Sequence, residues 1–283
     1  MLGREVETLL RRNTIQHLSS GREVDISKPD TLKAFVGNKH GHAIEWIINC
    51  SGYTAVDRAE DEPQQAFRIN AQGVRNIAET AKSLDATLIH ISTDYVFSGN
   101  KQSEYLEEDP TGPIGVYARS KFQGELHVQE TVSRFYILRT AWLYGTSGAN
   151  FVRTMLRLFQ ERDTVRVVSD QWGSPTYAKD LADAILQVIR SNSSRYGIYH
   201  YTNAGRASWY EFARKIYRQA RRIGFVQRDV EIVPIPTAEY PTPAPRPKYS
   251  YLSKEKIKTN FGLTIRSWQE ALKDCMEELK NPS

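Results

Sequence analysis

AIEWIINC (residues 43–50) is almost continuously apolar, the pattern of a parallel strand covered on both faces rather than of a half-exposed strand. TLIHIS (87–92) and FYILRT (135–140) repeat the pattern. Between these runs the apolar spacing turns helical. One helix is expected from about Pro63 to Leu84, with Phe67, Ile69, Val74, Ile77 and Ala81 on its apolar side, and another from about 116 to 132. Upstream, TIQHLS (14–19) reads as a short strand, and Pro29 to Val36 as a helix with proline in its first turn. Strands alternating with helices predict a parallel sheet wrapped by helices, the doubly wound α/β class. Ligands of such sheets sit beyond the carboxyl ends of the strands. The stretches to inspect are therefore Ser51 to Asp57, Ser92 to Gly99 and Thr140 to Gly145. PIPTAEYPTPAPRPKYS (234–250) is too proline-rich for a regular helix and is expected to be an extended loop.

With 283 residues, 40% of them hydrophobic, the chain can bury a sizeable core in one large or two interlocked domains. Two cysteines, Cys50 and Cys275, are too few for a disulfide framework and lack neighbours at metal-ligand spacing, which points to a reducing cytoplasm. No apolar run approaches a membrane span, and the N-terminus lacks a signal-peptide pattern. The net charge of +5 is concentrated in RQARRIGFVQR (218–228). That stretch continues the helical pattern of Trp209, Phe212 and Ile216, so its arginines are expected on a solvated face rather than on nucleic acid. Phosphates of a nucleotide ligand would account for the charge equally well.

Chemistry gathers after the second apolar run. ISTDYVFSG leaves its strand with Ser92, Thr93 and Asp94, and YARSK follows, placing Tyr117 and Lys121 four apart on one helical face. With fifteen tyrosines in the chain, one Tyr-x-x-x-Lys pair arises by chance about once. Its position at the start of a helix, after a strand ending in Ser-Thr-Asp, is what marks this pair. A phenol beside an ammonium is expected to be acidified and so to serve general acid-base chemistry, with the Thr93 hydroxyl holding the reacting oxygen.

NCSGYTAVDRAEDEP, INAQG, STDYVFSGNK, YARSKFQGE, RTAWLYG, NFVRTML, DQWGSPTYAKDLA and YPTPAPRPKYSYL, in that order, resemble the dTDP-4-dehydrorhamnose reductase family, of the extended short-chain dehydrogenase/reductase type. The resemblance runs from Leu2 to the last helix. It implies a Rossmann-like sheet with a smaller α/β substrate-binding domain, and reduction of the C4 ketone of dTDP-4-dehydro-L-rhamnose to dTDP-L-rhamnose by a nicotinamide cofactor, for bacterial surface polysaccharide. It also implies that Thr93, Tyr117 and Lys121 are catalytic, with Lys121 also holding the nicotinamide ribose. Leu2, Gly3, Asp25, Ile26, Cys50, Ser51, Gly52 and Thr54 would line the cofactor, Asp25 and Ile26 near the adenine. Asp94, Trp142 and Arg246 would face the substrate, Arg246 suiting a diphosphate because a guanidinium pairs two oxygens at once. Residues 1–144 with 176–202 would bind cofactor, and 145–175 with 203–283 would cover the sugar nucleotide.

No carboxylate follows TIQHL to bind the adenosine ribose hydroxyls. Ser19, Ser20 and Arg22 stand there instead, so NADPH is expected over NADH. Three positions depart from the family pattern: Gly115 for a common Asn, Ala118 for a common Gly, and Tyr249 for an Asn in the Arg-Pro loop. Some relatives are described with Mg2+, but no acidic cluster marks a metal site. The expected partner is a dTDP-sugar, with no nucleic acid and no membrane, in the cytoplasm; a homodimer stays open. Two rival readings also stay open: an epimerase or dehydratase of the same superfamily, and a non-catalytic binding subunit of this fold.

The first residues raise their own expectation. MLGREVETLL reads as an amphipathic helix without a visible cap, and Gly3 matches the last glycine of the family's Gly-x-x-Gly-x-x-Gly turn. By that match about ten residues, a central strand and most of the turn, would precede Met1, and the chain without them is expected to be poorly stable.

Overall fold

The apolar runs at 46–49, 87–93 and 135–140 lie side by side in one sheet. The computed structural model describes residues 1–37 and 43–281. Strands Trp46–Asn49, Thr87–Thr93, Phe135–Thr140 and Gly197–His200 stand in that order, each parallel to its neighbour. The register sets Asn49 opposite His90 and Thr93 opposite Thr140, so the residues that follow the strands emerge at one edge.

Both faces are covered, which is why the strands are largely apolar rather than alternating, with Asn49, His90 and Arg139 as buried polar exceptions. On one face Leu88 and Ile137 pack with Val74, Ile77 and Ala78 of helix Val74–Ser83 and with Val128 of helix Gly115–Thr131. On the other, Ile89, Tyr136 and Leu138 meet Leu2 and Val6 of helix Leu2–Arg12 and Leu181 and Ile185 of helix Ala178–Arg190. A third cluster, built around Tyr144, Val152, Phe159, Phe212, Ile216 and Leu272, lies beside the parallel pair Thr164–Val168 and Glu231–Ile235.

The expected helix from Pro63 runs as Pro63–Phe67, a π turn over Arg68–Gly73, and Val74–Ser83, with right-handed helical backbone at each junction. Such a wide turn is an insertion that commonly marks a functional site. It faces helix Gly115–Thr131 so closely that a Cβ on Gly124 would lie 2.2 Å from the Asn70 carbonyl oxygen, so only glycine fits there. Gly115, which begins that helix, has φ +79, a left-handed conformation shared easily by glycine and Asn. The departure at Gly115 is therefore conservative in backbone terms.

One expected strand is not found. Residues 14–19 carry no strand: Thr14 has φ +56, incompatible with extended backbone, and Trp46–Asn49, at the end of the sheet, pairs only with Thr87–Thr93 among the described residues. An extended segment without a ladder partner gains nothing to offset its ordering entropy. The proline-rich stretch is irregular after residue 235 apart from a short turn at Thr237–Glu239. It is tied down where Tyr249 N donates to Gly99 O (3.1 Å) and Trp172 N to Lys248 O (2.8 Å).

The arginines of 218–228 sit on the solvated face, as expected. Helix Trp209–Arg222 buries Phe212, Ala213, Ile216 and Ala220, while Arg221 pairs with Asp229 at 2.8 Å and Arg222 with Glu277 at 3.6 Å. No helix among the described residues is long and apolar enough to cross a membrane.

Candidate active site

Helix Gly115–Thr131 starts where the carboxylate of Glu60 accepts its Val116 N–H at 2.7 Å. This cap fixes the helix against the sheet edge, so its first two turns carry Tyr117 and Lys121 to the end of strand Thr87–Thr93. Tyr117 is half-buried, with the Thr93 hydroxyl beside its phenol and Tyr95 edge-on at 5.8 Å. Lys121 is buried, and its Nζ donates to the Ile91 carbonyl at 2.6 Å. Thr93, at the last strand position, accepts from Tyr95 N (3.2 Å) and donates to Asp94 Oδ1 (3.1 Å).

The electrostatics differ from expectation. Burial pushes the Tyr117 phenol up to about 12, opposed by the Thr93 hydroxyl and assisted by the charge of Asp94. The Lys121 ammonium does not acidify it; burial pulls Lys121 itself down to about 8, against the attraction of Glu125. The physical reason is that desolvation of the phenolate outweighs any benefit from a cation whose proton is turned to a backbone carbonyl.

Asp94 is buried among these groups, and burial raises it to about 7 against the pull of the Ser250 and Thr93 hydroxyls. Its Oδ2 has no hydrogen-bond partner. Because the folded-state value lies above the unfolded one, the native state holds the proton more tightly, and Asp94 lowers stability progressively as pH rises from about 4 to 7. Asp94→Asn removes that term. Its melting temperature is expected to exceed the parent's by a few degrees at pH 8 and to match it closely at pH 4, as read by calorimetry; an unchanged difference across that range would show that Asp94 is not a buried acid.

The turn after the first strand is held from behind. Ser51 N donates to Asn49 Oδ1 (3.0 Å), Asn49 Nδ2 meets His90 Nδ1 (3.0 Å), and Tyr53 N donates to Asn70 Oδ1 (2.8 Å). Asn70 Nδ2 closes the network on Tyr53 O and on Ser120 Oγ, each at 3.0 Å, and Ser120 Oγ donates to the Tyr117 carbonyl. Ser51, Gly52 and Thr54 are left exposed, while burial pushes the Cys50 thiol up to about 12. Gly3 comes within contact of Cys50, a Cβ there lying 3.6 Å from the Cys50 Cβ. Leu2 turns its side chain into the apolar cluster under the sheet, so only its backbone is available to a ligand.

Arg246 reaches the site from the proline-rich loop. Its Nη2 pairs with Asp57 Oδ2 at 2.7 Å, Nη1 donates to Ala244 O at 3.1 Å, and its charge is felt by Tyr95. Trp142, at φ +47, stacks on Trp209 with ring centroids 3.5 Å apart and abuts Gly173, which in turn lies against Ser250 beside Asp94. Asp25 and Ile26 are engaged elsewhere. The carboxylate of Asp25 accepts from Ser27 N–H (3.0 Å) and from Arg68 (2.8 Å), and Ile26 packs on Gly73 of the π turn. Asn70, Ser120, Asn49 and Asp57 were not singled out from the sequence. The available signal was that all four lie within the stretches NCSGYTAVDRAEDEP, INAQG and YARSKFQGE.

No group of three or more His, Cys, Asp or Glu side chains among the described residues is placed to hold a metal ion. The site does suit a nicotinamide cofactor: the unpartnered Asp94 Oδ2 lies near the Tyr117 phenol at the carboxyl end of the strand, and the buried Lys121 ammonium is held one turn along the same helix at the Ile91 carbonyl.

A hydroxyl, a phenol and an ammonium at the rim of a helix-wrapped parallel sheet define the extended short-chain dehydrogenase/reductase class. The UDP-glucose 4-epimerase of Thermus thermophilus, at 18% identity, shares this architecture with a TM-score of 0.78 over 100% of this chain and 97% of its own. Within the class, the chain belongs to the RmlD substrate binding domain family, whose family model matches residues 1–281. It is 40% identical over 266 residues to a dTDP-4-dehydrorhamnose reductase of Burkholderia thailandensis, covering 91% of this chain and 88% of that protein. A dTDP-4-dehydrorhamnose reductase from Bacillus anthracis, solved in complex with NADP, superposes with a TM-score of 0.90 at 39% identity, over 98% of this chain and 95% of that one.

Proposed function

We propose that this chain reduces the C4 ketone of dTDP-4-dehydro-L-rhamnose to dTDP-L-rhamnose with NADPH, a step toward surface polysaccharide. The observation that carries the reading is the convergence of Thr93, Tyr117 and Lys121 at one strand end in a chain of this family. The cofactor, when bound, supplies hydride to the carbonyl carbon. Thr93 orients the ketone oxygen, and Tyr117 donates the proton that this oxygen takes up. A phenol raised to about 12 is fully protonated at neutral pH and remains a far stronger acid than the alcohol being formed, so it holds a proton it can deliver. Donors at that oxygen act on charge that develops only in the transition state. Lys121 holds the nicotinamide ribose, while the exposed turn of Cys50, Ser51, Gly52 and Thr54, with the backbone of Leu2 and Gly3, lines the remainder of the cofactor. Asp25 and Ile26 border the adenine, Asp25 through its backbone because Ser27 and Arg68 occupy its carboxylate.

Asp94, Trp142 and Arg246 face the sugar nucleotide, with Arg246 exchanging Asp57 for diphosphate. Residues 1–144 with 176–202 form the cofactor part, and 145–175 with 203–283 the substrate part; residues 38–42 and 282–283 of those spans lie outside the described residues. Carboxylates do stand around Ser19, Ser20 and Arg22, Glu7 accepting from the Ser19 hydroxyl at 2.9 Å and Glu23 from Gly21 N at 2.6 Å, so NADPH is supported instead by the likeness to the Bacillus anthracis reductase solved with NADP. We take the enzyme to work in the cytoplasm.

Purified chain mixed with dTDP-4-dehydrorhamnose and NADPH is expected to oxidise the cofactor stoichiometrically with product. Turnover without net oxidation would make it an epimerase or dehydratase, and no turnover would make it a binding subunit. Comparable kcat/KM with NADH would overturn the cofactor preference.

A further inference from the structure

One turn behind Lys121 lies a deeply buried ion pair. Glu125, on the same helix, is fully inaccessible and Arg139 of strand Phe135–Thr140 is 2% exposed. The pairing is forked: Arg139 Nε donates to Glu125 Oε1 at 3.0 Å and Nη2 to Oε2 at 2.7 Å. Arg139 is itself held, over the Phe97 ring at 5.1 Å and against the Glu107 carbonyl at 3.4 Å. A buried ion pair contributes little net stability compared with an apolar replacement of the same shape, so its stabilising effect does not account for its presence here.

Its position does. Tyr117, Lys121 and Glu125 recur every four residues and share one face of the helix, with neighbouring Cβ atoms about 5–6 Å apart. The groups around Lys121 are Glu125 on its own helix, one turn from Tyr117, His90 on strand Thr87–Thr93, and Cys50 after strand Trp46–Asn49. Burial keeps His90, Cys50 and Tyr117 uncharged, so the charges next to Lys121 are the Glu125 carboxylate one turn along the helix and, behind it, the Arg139 guanidinium paired with that carboxylate.

We propose that Glu125, held in its forked pair with Arg139 one helical turn behind Lys121, is a positioning residue for Lys121, its carboxylate favouring the ammonium form of that buried side chain. This rests on the reading of Lys121 given under Proposed function. Above the point where Lys121 loses its proton, near 8 in the parent, kcat/KM falls. Taking away the adjacent carboxylate charge moves that limb to lower pH.

The test is the pH profile of kcat/KM with NADPH for the parent, Glu125→Gln and the joint Glu125→Gln, Arg139→Gln variant, which leaves no unpaired buried charge if the single variant does not fold. The alkaline limb is expected to move down by about one pH unit or more in the variants, and the pH dependence of NADPH binding to move with it. Glu125→Asp, which keeps the charge, is expected to restore the limb in part. A limb that stays in place in a folded variant overturns the proposal, since a merely structural pair would change stability and leave the profile alone. Lys121→Met separates the two readings. If it is inactive while the limb does not move in the Glu125 variants, this inference alone falls; if it turns over like the parent, the role of Lys121 falls and this inference with it.

Discussion

Tyr117→Phe is expected to lower kcat by about 10² to 10⁴ while leaving NADPH affinity and melting temperature close to those of the parent. The phenol ring would stay where it is, because its placement comes from the Glu60 cap of the helix, the edge contact with Tyr95 at 5.8 Å and the Ser120 bond to its backbone carbonyl. What disappears is the hydroxyl beside Thr93. Loss of an interaction made mainly in the transition state lowers kcat and kcat/KM together, which separates it from a defect of substrate binding. Turnover equal to the parent's would remove Tyr117 from the reaction, and with it the ordering of the site around strand Thr87–Thr93.

Arg139→Met carries the largest expected cost in stability. It leaves the Glu125 carboxylate with no exposure and without its hydrogen-bonded cation, which costs about 3–5 kcal/mol. For a chain of this size that is a fall in melting temperature on the order of 10 °C. The joint Glu125→Leu, Arg139→Met variant is expected to recover most of the loss, since two apolar side chains leave no charge to desolvate. Calorimetry on the two variants checks both halves. If Arg139→Met melts with the parent, the pair does not hold a buried charge.

The doubly wound core was legible because its strands are covered on both faces, which writes itself into AIEWIINC, TLIHIS and FYILRT as unbroken apolar runs. TIQHLS, with only Ile15 and Leu18 apolar, is not a strand, since strand formation depends on a neighbour that supplies ladder hydrogen bonds. Thr93, Tyr117 and Lys121 were legible because catalytic spacing on a helix and at a strand end is local in sequence. The direction of the Tyr117 shift was not, because the expectation weighed a nearby ammonium and omitted burial, and desolvation is set by residues far away in the chain. Asn70 escaped for a related reason: its partners, Tyr53 and Ser120, lie 17 and 50 residues away.

From its sequence alone, this protein's class, its family resemblance and the helix face carrying Tyr117 and Lys121 could be determined, since periodicity and short spacings are properties of the covalent chain. Tertiary structure alone decided that Arg246 pairs with Asp57, that Glu125 is locked to Arg139 behind Lys121, and that the phenol is raised rather than lowered. Those outcomes depend on which groups are excluded from water together, and water is excluded only once the sheet and its helices have closed on one another.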